Sequence, residues 1–340
     1  MRPPKQEQLP ASTEVTEVGP GVLRMQLPIT MPGLGHVNTY ALIDDRGVAL
    51  VDPGLPGDAS WSALTTRLRD AELKLTDVHT VIATHSHPDH FGGAGQMAKE
   101  VGADVVVHSA FARWLTAQPT AEPDIFDVDA EDLQEGSPFD LPTPWGTDWL
   151  RPADAPPISE WTKPQPTRWV RNGEVLHLAG REWFVLHTPG HTLDHICLHD
   201  PETGILLSGD HVLPTITPHI AGLGSGRDPL NAFKASLELV AAVEDVNLVL
   251  PAHGHPFTDL AERCAAIAEH HEERLARLQD ISQELGPATV IELSHELFRP
   301  AAWGGMAESE TYAHLEHLRQ LGLAERRGDG PDLVYVVAAR

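Results

Sequence analysis

The sequence predicts a mixed α/β protein, and three observations carry that reading. Short apolar runs alternate with helically spaced segments through residues 22–108. Apolar runs at 78–83, 183–186, 205–207 and 246–250 each end in a turn carrying histidine or aspartate. Beyond residue 259 the pattern changes to successive helices followed by a reversing strand pair.

Taken in order, residues 22–29, 37–43 and 48–51 read as strands separated by Pro/Gly pairs and by Asp44-Asp45-Arg46-Gly47. Residues 58–73 have helical spacing through Trp61, Leu64, Leu68 and Leu73, with Asp58 as N-cap. A strand at 78–83, a helix over 96–101 and a strand at 104–108 follow. Residues 111–170 break the pattern. They hold five of the eight tryptophans (Trp114, Trp145, Trp149, Trp161, Trp169) and many prolines. Disordered chains are poor in aromatics, so this segment reads as an ordered insert over the site, either anchored to its own domain or lining an apolar wall for substrate. After residue 258, Leu260, Cys264, Ile267, His271, Leu275, Leu278, Ile281 and Leu285 mark one long amphipathic helix. His270 and His271 read there as surface or half-buried residues rather than ligands. Helices over 289–297 and 308–321, a reversal at 326–330 and a strand at 333–337 complete the chain. The implied units are an extension over 1–20, a catalytic domain over 21–258 and a helical C-terminal domain over 259–340.

The chemistry concentrates in His85-Ser86-His87-Pro88-Asp89-His90, directly after an apolar run. Buried imidazoles without partners cost roughly 1–3 kcal/mol each, so stability alone does not explain three of them in six positions. Neutral imidazole and carboxylate are ligands of zinc and its first-row neighbours. His85 and His87, two apart on an extended segment, project to one side, while Asp89 and His90 can reach an adjacent second centre. Further donors stand after other strands: His191 in Thr188-Pro189-Gly190-His191, Asp210 in Ser208-Gly209-Asp210-His211, and His253 in Pro251-Ala252-His253-Gly254-His255. Small residues beside them suit a backbone that turns tightly.

With Asp52 in Leu50-Val51-Asp52-Pro53-Gly54, these pieces resemble, in order and across residues 20–258, the metallo-β-lactamase fold superfamily of metal-dependent hydrolases. The resemblance implies an αββα sandwich. It implies that His85, His87 and His191 bind one metal and Asp89, His90 and His253 another, with Asp210 bridging and Asp52 supporting the site from behind. His87 stands where flavodiiron relatives carry glutamate, which favours hydrolysis over redox chemistry. Asp210 stands where true β-lactamases usually carry cysteine or serine, which favours the glyoxalase II, thioesterase and phosphodiesterase side. The tail resembles the winged-helix-like C-terminal unit of the mitochondrial lactamase-like endoribonuclease.

Composition narrows the partners. With 24 basic and 49 acidic residues the formal charge is −25, which repels polyanions. Residues 281–340 carry five arginines, no lysine and nine acids, too few cations for a reader of phosphates. The tail therefore reads as a packing or homodimerisation element rather than a nucleic-acid binder. Cys197 and Cys264 read as small hydrophobes. No signal peptide or membrane span is visible, so a cytoplasmic protein is expected.

The function this implies is hydrolysis of a small thioester or activated acyl ester. Two divalent metals roughly 3.5–4 Å apart, zinc first with iron or manganese as alternatives, would hold a bridging water and lower its pKa from about 16 toward 7. Asp89 and Asp210 are the catalytic carboxylates, Asp89 aiming the resulting hydroxide. Phosphodiester or single-strand RNA cleavage, lactone or weak β-lactam hydrolysis, and a regulatory binding role for the tail are the alternatives. Asn38, His211, His219 and His255 are candidates for orienting ligands or touching substrate.

Overall fold

The computed structural model describes residues 5–31, 33–111, 143–145 and 162–339. Among these, one sheet runs in the order β1 (Thr16–Gly19), β2 (Val22–Met31), β3 (Leu34–Asp44), β4 (Gly47–Val51), β5 (Val78–Ile82), β6 (Asp104–His108) and β7 (Arg168–Val170). A second contains β8 (Val175–Leu178), β9 (Arg181–His187), β10 (Ile196–Asp200), β11 (Ile205–Gly209) and β12 (Leu248–Pro251), ordered 12-11-10-9-8. Helices α1 (Asp58–Asp70), α2 (Pro88–Phe91) and α3 (Ala94–Val101) arise from the first sheet's connections, and α4 (Pro229–Ala241) from the second's.

The layering explains the sequence pattern. In β4, Val48 and Leu50 share a core with Leu64 and Leu68 of α1 and Met97 of α3. Ala49 and Val51 share another with Trp183, Val185 and Leu198 of the opposite sheet. A strand covered on both faces has no polar alternation, so it appears as a continuous apolar run. The same holds for β11, where Ile205 and Leu207 face the inter-sheet core and Leu206 faces α4 and α5 (Leu260–Leu285). The expected αββα sandwich is present.

The parallel pairs β4–β5 and β11–β12 place Asp52, His85, Asp210 and His253 just beyond strand ends, where a chain leaving a sheet can present side chains to a common cleft. Two local details differ from expectation. Asp58 is the first residue of α1 and Gly57, at φ +112°, occupies the cap, so Asp58 acts as an acidic first-turn residue instead. The helix expected over 96–101 begins at Ala94, and the separate turn α2 carries Asp89 and His90.

The tail adds α6 (Val290–Leu297), α7 (Gly305–Gln320) and a small sheet of β13 (Ala288–Thr289), β15 (Val334–Val337) and β14 (Ala324–Arg327), ordered 13-15-14. Thr289 and Glu292 form a reciprocal capping box that starts α6. Residues 307–318 of α7 are all buried, because the helix lies between the tail and the rest of the molecule. Its apolar residues share a core with α4, α5 and the second sheet. His271 is correspondingly wholly buried, contrary to the surface or half-buried reading, with Nδ1 3.1 Å from His314 Nε2 of α7. The amphipathic pattern of α5 alone could not reveal that a second helix covers it.

The N-terminal residues are also integral. Buried Glu7 accepts from the main-chain N–H groups of Thr215 and Ile216. Of the insert's tryptophans, Trp114, Trp149 and Trp161 lie outside the described residues. Trp145 packs on the tail, its ring 4.9 Å from Tyr312 and its Nε1 donating to Glu308 at 3.0 Å, so this residue is anchored to the C-terminal unit rather than to its own domain. Both cysteines are buried and unpaired with each other. No helix among the described residues is long and apolar enough to cross a membrane.

Candidate metal centre

Seven side chains predicted as ligands converge in two groups. His85, His87, His191 and Asp210 form one, and Asp89, His90 and His253 the other. In the first, His87 Nδ1 lies 3.0 Å from both His85 Nε2 and His191 Nε2, and Asp210 Oδ2 lies 3.4 Å from His191 Nε2. In the second, Asp89 Oδ2 is 3.5 Å from His90 Nε2 and from His253 Nε2. Asp210 reaches this group too, with Oδ2 3.5 Å from His90 Nε2 and Oδ1 3.2 Å from His253 Nε2.

Hydrogen bonds behind the rings settle which nitrogens face inward. His90 Nδ1 donates to Asp52 Oδ2 at 2.9 Å. His253 Nδ1 donates to the His36 carbonyl at 2.7 Å, and His191 Nδ1 to the His219 carbonyl at 2.6 Å. Thr84 Oγ donates to Asp52 Oδ2 and therefore accepts from His85 Nδ1 at 3.1 Å. Each partner is an acceptor, so each of these rings carries a proton on Nδ1 and turns Nε2 inward.

That arrangement fits metal ions. The buried atoms His90 Nε2, His253 Nε2, Asp89 Oδ2 and Asp210 Oδ1 have no hydrogen-bond partner, although they face one another. Buried carboxylate oxygens and imidazole nitrogens that converge in this way need a cation between them, a proton or a metal ion. Ligands about 2.0–2.2 Å from one tetrahedral ion stand roughly 3.4 Å apart, close to the spacings here. Burial, then the neighbouring imidazoles, hold His85 and His87 well below the ordinary histidine range, in the neutral ligating form. Burial would also lower His90 and His253, but Asp210 and Asp89 outweigh it and raise both. Burial would raise Asp210, but His253 and His90 hold it well below the usual carboxylate range.

The backbone is shaped for this convergence. Asp52 sits at φ +55°, and a Cβ on Gly190 (φ +132°) would meet Phe233 Cα at 2.4 Å. Gly209, at φ +50°, comes equally close to His195: an added Cβ would lie 2.5 Å from its Nε2.

The other nominated residues divide. His219 is beside the site, its carbonyl holding His191. Asn38 is buried and touches no ligand side chain. Its Nδ2 donates to the Pro251 and Gly254 carbonyls at 2.7 and 2.9 Å, holding the two ends of the turn that carries His253. His211 follows Asp210, but its ring packs edge-on against Phe233 at 5.0 Å, and burial pushes its pKa down to about 3. His255 is exposed, with Nδ1 3.4 Å from Arg24 Nη1, because the chain has already turned outward past Gly254. Neither His211 nor His255 makes a described hydrogen bond to a ligand.

Three residues that hold the site were not singled out. His36 supplies the carbonyl for His253, and its Nε2 accepts from Gly254 N at 3.0 Å. His195 Nε2 accepts from Asp210 N at 3.0 Å, its Nδ1–H donating to Thr188 Oγ at 2.7 Å. Thr84 links Asp52 to His85. The available signal was position alone: Thr84 and His195 flank the ligand segments.

Comparison with known proteins agrees with this geometry. The chain is 29% identical over 314 residues to the probable metallo-hydrolase YqjP of Bacillus subtilis, covering 87% of this chain and 92% of that protein. It is 31% identical over 190 residues to the human acyl-coenzyme A thioesterase MBLAC2, a match that spans 56% of this chain and only 60% of the relative. It is 25% identical over 277 residues to the atrochrysone carboxyl ACP thioesterase of Aspergillus terreus, covering 80% and 66%. The crystal structure of the metallo-beta-lactamase family protein TTHA1429 from Thermus thermophilus superposes with TM-score 0.75 at 31% identity, covering 94% of this chain and all of that one. The pattern of the metallo-beta-lactamase superfamily matches residues 32–255, which include Asp52 and every candidate ligand just described. With sequence, architecture and donor set in agreement, the chain belongs to the metallo-beta-lactamase superfamily and is a metal-dependent hydrolase.

Proposed function

We propose that this chain is a binuclear hydrolase of thioesters or comparably activated acyl esters. His85, His87 and His191 would hold one ion, Asp89, His90 and His253 the other, with Asp210 shared. Zinc is the first choice, and iron and manganese accept the same donors. The observation that carries the reading is that Asp210 approaches both groups, through Oδ2 toward His191 and His90 and through Oδ1 toward His253. Ions bound there supply a Lewis acid for the acyl oxygen and make water acidic enough to react near neutral pH.

The chain's own groups would do the rest. Asp210 offsets charge between the two groups, and Asp89 accepts a hydrogen bond from the attacking water and orients it. A thiolate departs without a proton, so this centre needs no additional acid for a thioester. The thioesterase names of two relatives support that substrate class. A polyanionic substrate is opposed by the net charge of −25. It is opposed too by the burial of α7, since a helix covered along residues 307–318 has no face for a nucleic-acid groove.

A side-by-side assay of acyl-CoA, acyl-glutathione, a phosphodiester and a lactone tests the proposal. Thioester turnover exceeding the others is expected. Turnover of the phosphodiester or the lactone alone would overturn it.

A further inference from the structure

Helix α7 reaches the metal ligand His191 through the loop that follows Asp210. The His219 carbonyl accepts from His191 Nδ1, so its position sets the direction of the His191 Nε2 lone pair. The side chain of this same His219 has Nδ1 3.4 Å from Glu310 Oε2 on α7. Glu310 Oε1 in turn pairs with Arg274 Nη1 on α5. Burial alone would raise the Glu310 carboxyl, but Arg274 and the His219 contact hold it well below the usual carboxylate range. An ionised carboxylate only accepts, so His219 donates from Nδ1.

The loop is pressed against the helix around this contact. Gly222 N donates to Ser309 Oγ at 3.0 Å, and a Cβ on Gly222 would stand 2.6 Å from the Tyr312 ring. Ser225 Oγ closes the loop back onto the His191 carbonyl at 3.3 Å. Glu310 also lies with His271 and His314 in a cluster close enough to hold an ion. Arg274 already neutralises Glu310, so a dication there would be buried without balancing charge. His314 Nδ1 donates to the Glu310 carbonyl and its Nε2 faces His271 Nδ1, which makes the cluster a hydrogen-bonded brace.

We propose that Glu310 is a positioning residue for the metal centre: anchored by Arg274, it holds His219 so that the His219 carbonyl aims His191. This rests on His191 being a metal ligand, so the first readout is metal binding and needs no substrate. The probe is cobalt(II), followed by its visible spectrum and by chelator competition in the whole 340-residue chain. Variants are Glu310→Gln, His219→Ala, their combination, and Glu316→Gln as a control. Glu316 is a buried α7 carboxylate whose partners are Tyr335 and Arg319 of the tail.

Glu310→Gln and His219→Ala should each change the cobalt spectrum and weaken binding about tenfold. The double variant should be no worse than either single one, because both break one linkage. Glu316→Gln should lower Tm and leave spectrum and affinity unchanged. Should Glu310→Gln fail to fold, His219→Ala decides, since it removes no buried charge. An unchanged spectrum and affinity in a folded Glu310→Gln, or in His219→Ala where only that variant folds, overturns the proposal. A wild-type protein that takes up no cobalt overturns the metal reading itself, and this proposal with it.

Discussion

His90 Nδ1 lies 2.9 Å from Asp52 Oδ2, and both side chains are almost wholly buried. The same carboxylate accepts from Thr84 N and Thr84 Oγ, each at 2.8 Å, and through that hydroxyl steadies His85. One aspartate thus braces a histidine in each candidate ligand group. Asp52→Ala should weaken metal binding about 10–100-fold. It should also destabilise the metal-stripped protein by about 1–3 kcal/mol, by leaving the His90 Nδ1–H unpaired. Chelator competition and denaturant unfolding measure the two effects separately. Unchanged metal affinity would show that Asp52 does not orient the ligands.

Asn38 and His255 should behave oppositely although both stand near ligands in sequence. Asn38→Ala leaves the Gly254 carbonyl without its side-chain donor and the Pro251 carbonyl with only Tyr40 OH, and should lower unfolding free energy by about 1–3 kcal/mol. His255→Ala removes an exposed ring and should stay within about 0.5 kcal/mol of wild type, with unchanged kcat. A large loss of kcat in His255→Ala would place that ring in the reaction after all.

Glu310 gives a pH signature. Its carboxyl is held well below its ordinary value of 4.5, so in acid the unfolded chain binds a proton that the folded chain does not. Its contribution to stability is therefore complete above about pH 6 and fades as pH falls through 4.5 and below. The stability gap between wild type and Glu310→Gln, read from urea midpoints of the metal-stripped protein, should narrow between about pH 6 and about pH 3.5. A gap independent of pH would mean that Glu310 is not ionised in the fold.

Both thiols should be inert in the native protein. Burial pushes Cys197 and Cys264 up to about 12, so neither offers a thiolate near neutrality. A chromogenic disulfide reagent at about pH 8 should titrate none in the native chain and both in guanidinium. Rapid native labelling of either would contradict the packing described.

Two of the candidate ligands were legible in the sequence because each follows a strand covered on both faces, so a polar donor stands out against an apolar run. Asp210 and His253 are such cases, after Leu207 and Leu250. Apart from Asp52, the residues that brace those candidate ligands were not legible, because their contacts join distant parts of the chain. His36 and His255 are both histidines beside recognisable segments, yet only the His36 ring is buried, its Nε2 accepting from Gly254 N, 218 positions away. Likewise, nothing local to Glu310 distinguishes it from other acids on α7; its meaning comes from Arg274 and His219. The burial of Glu7 follows from its pairing with the main-chain donors at 215 and 216, which become neighbours only after the chain has folded.

The most direct test of the account is thioester turnover against metal content in a chelator-stripped protein reloaded stepwise with zinc. Turnover should be negligible without metal and maximal at two equivalents, with Asp210→Ala losing metal and activity together. Full thioester turnover in the metal-free protein, or full activity in Asp210→Ala, would contradict it.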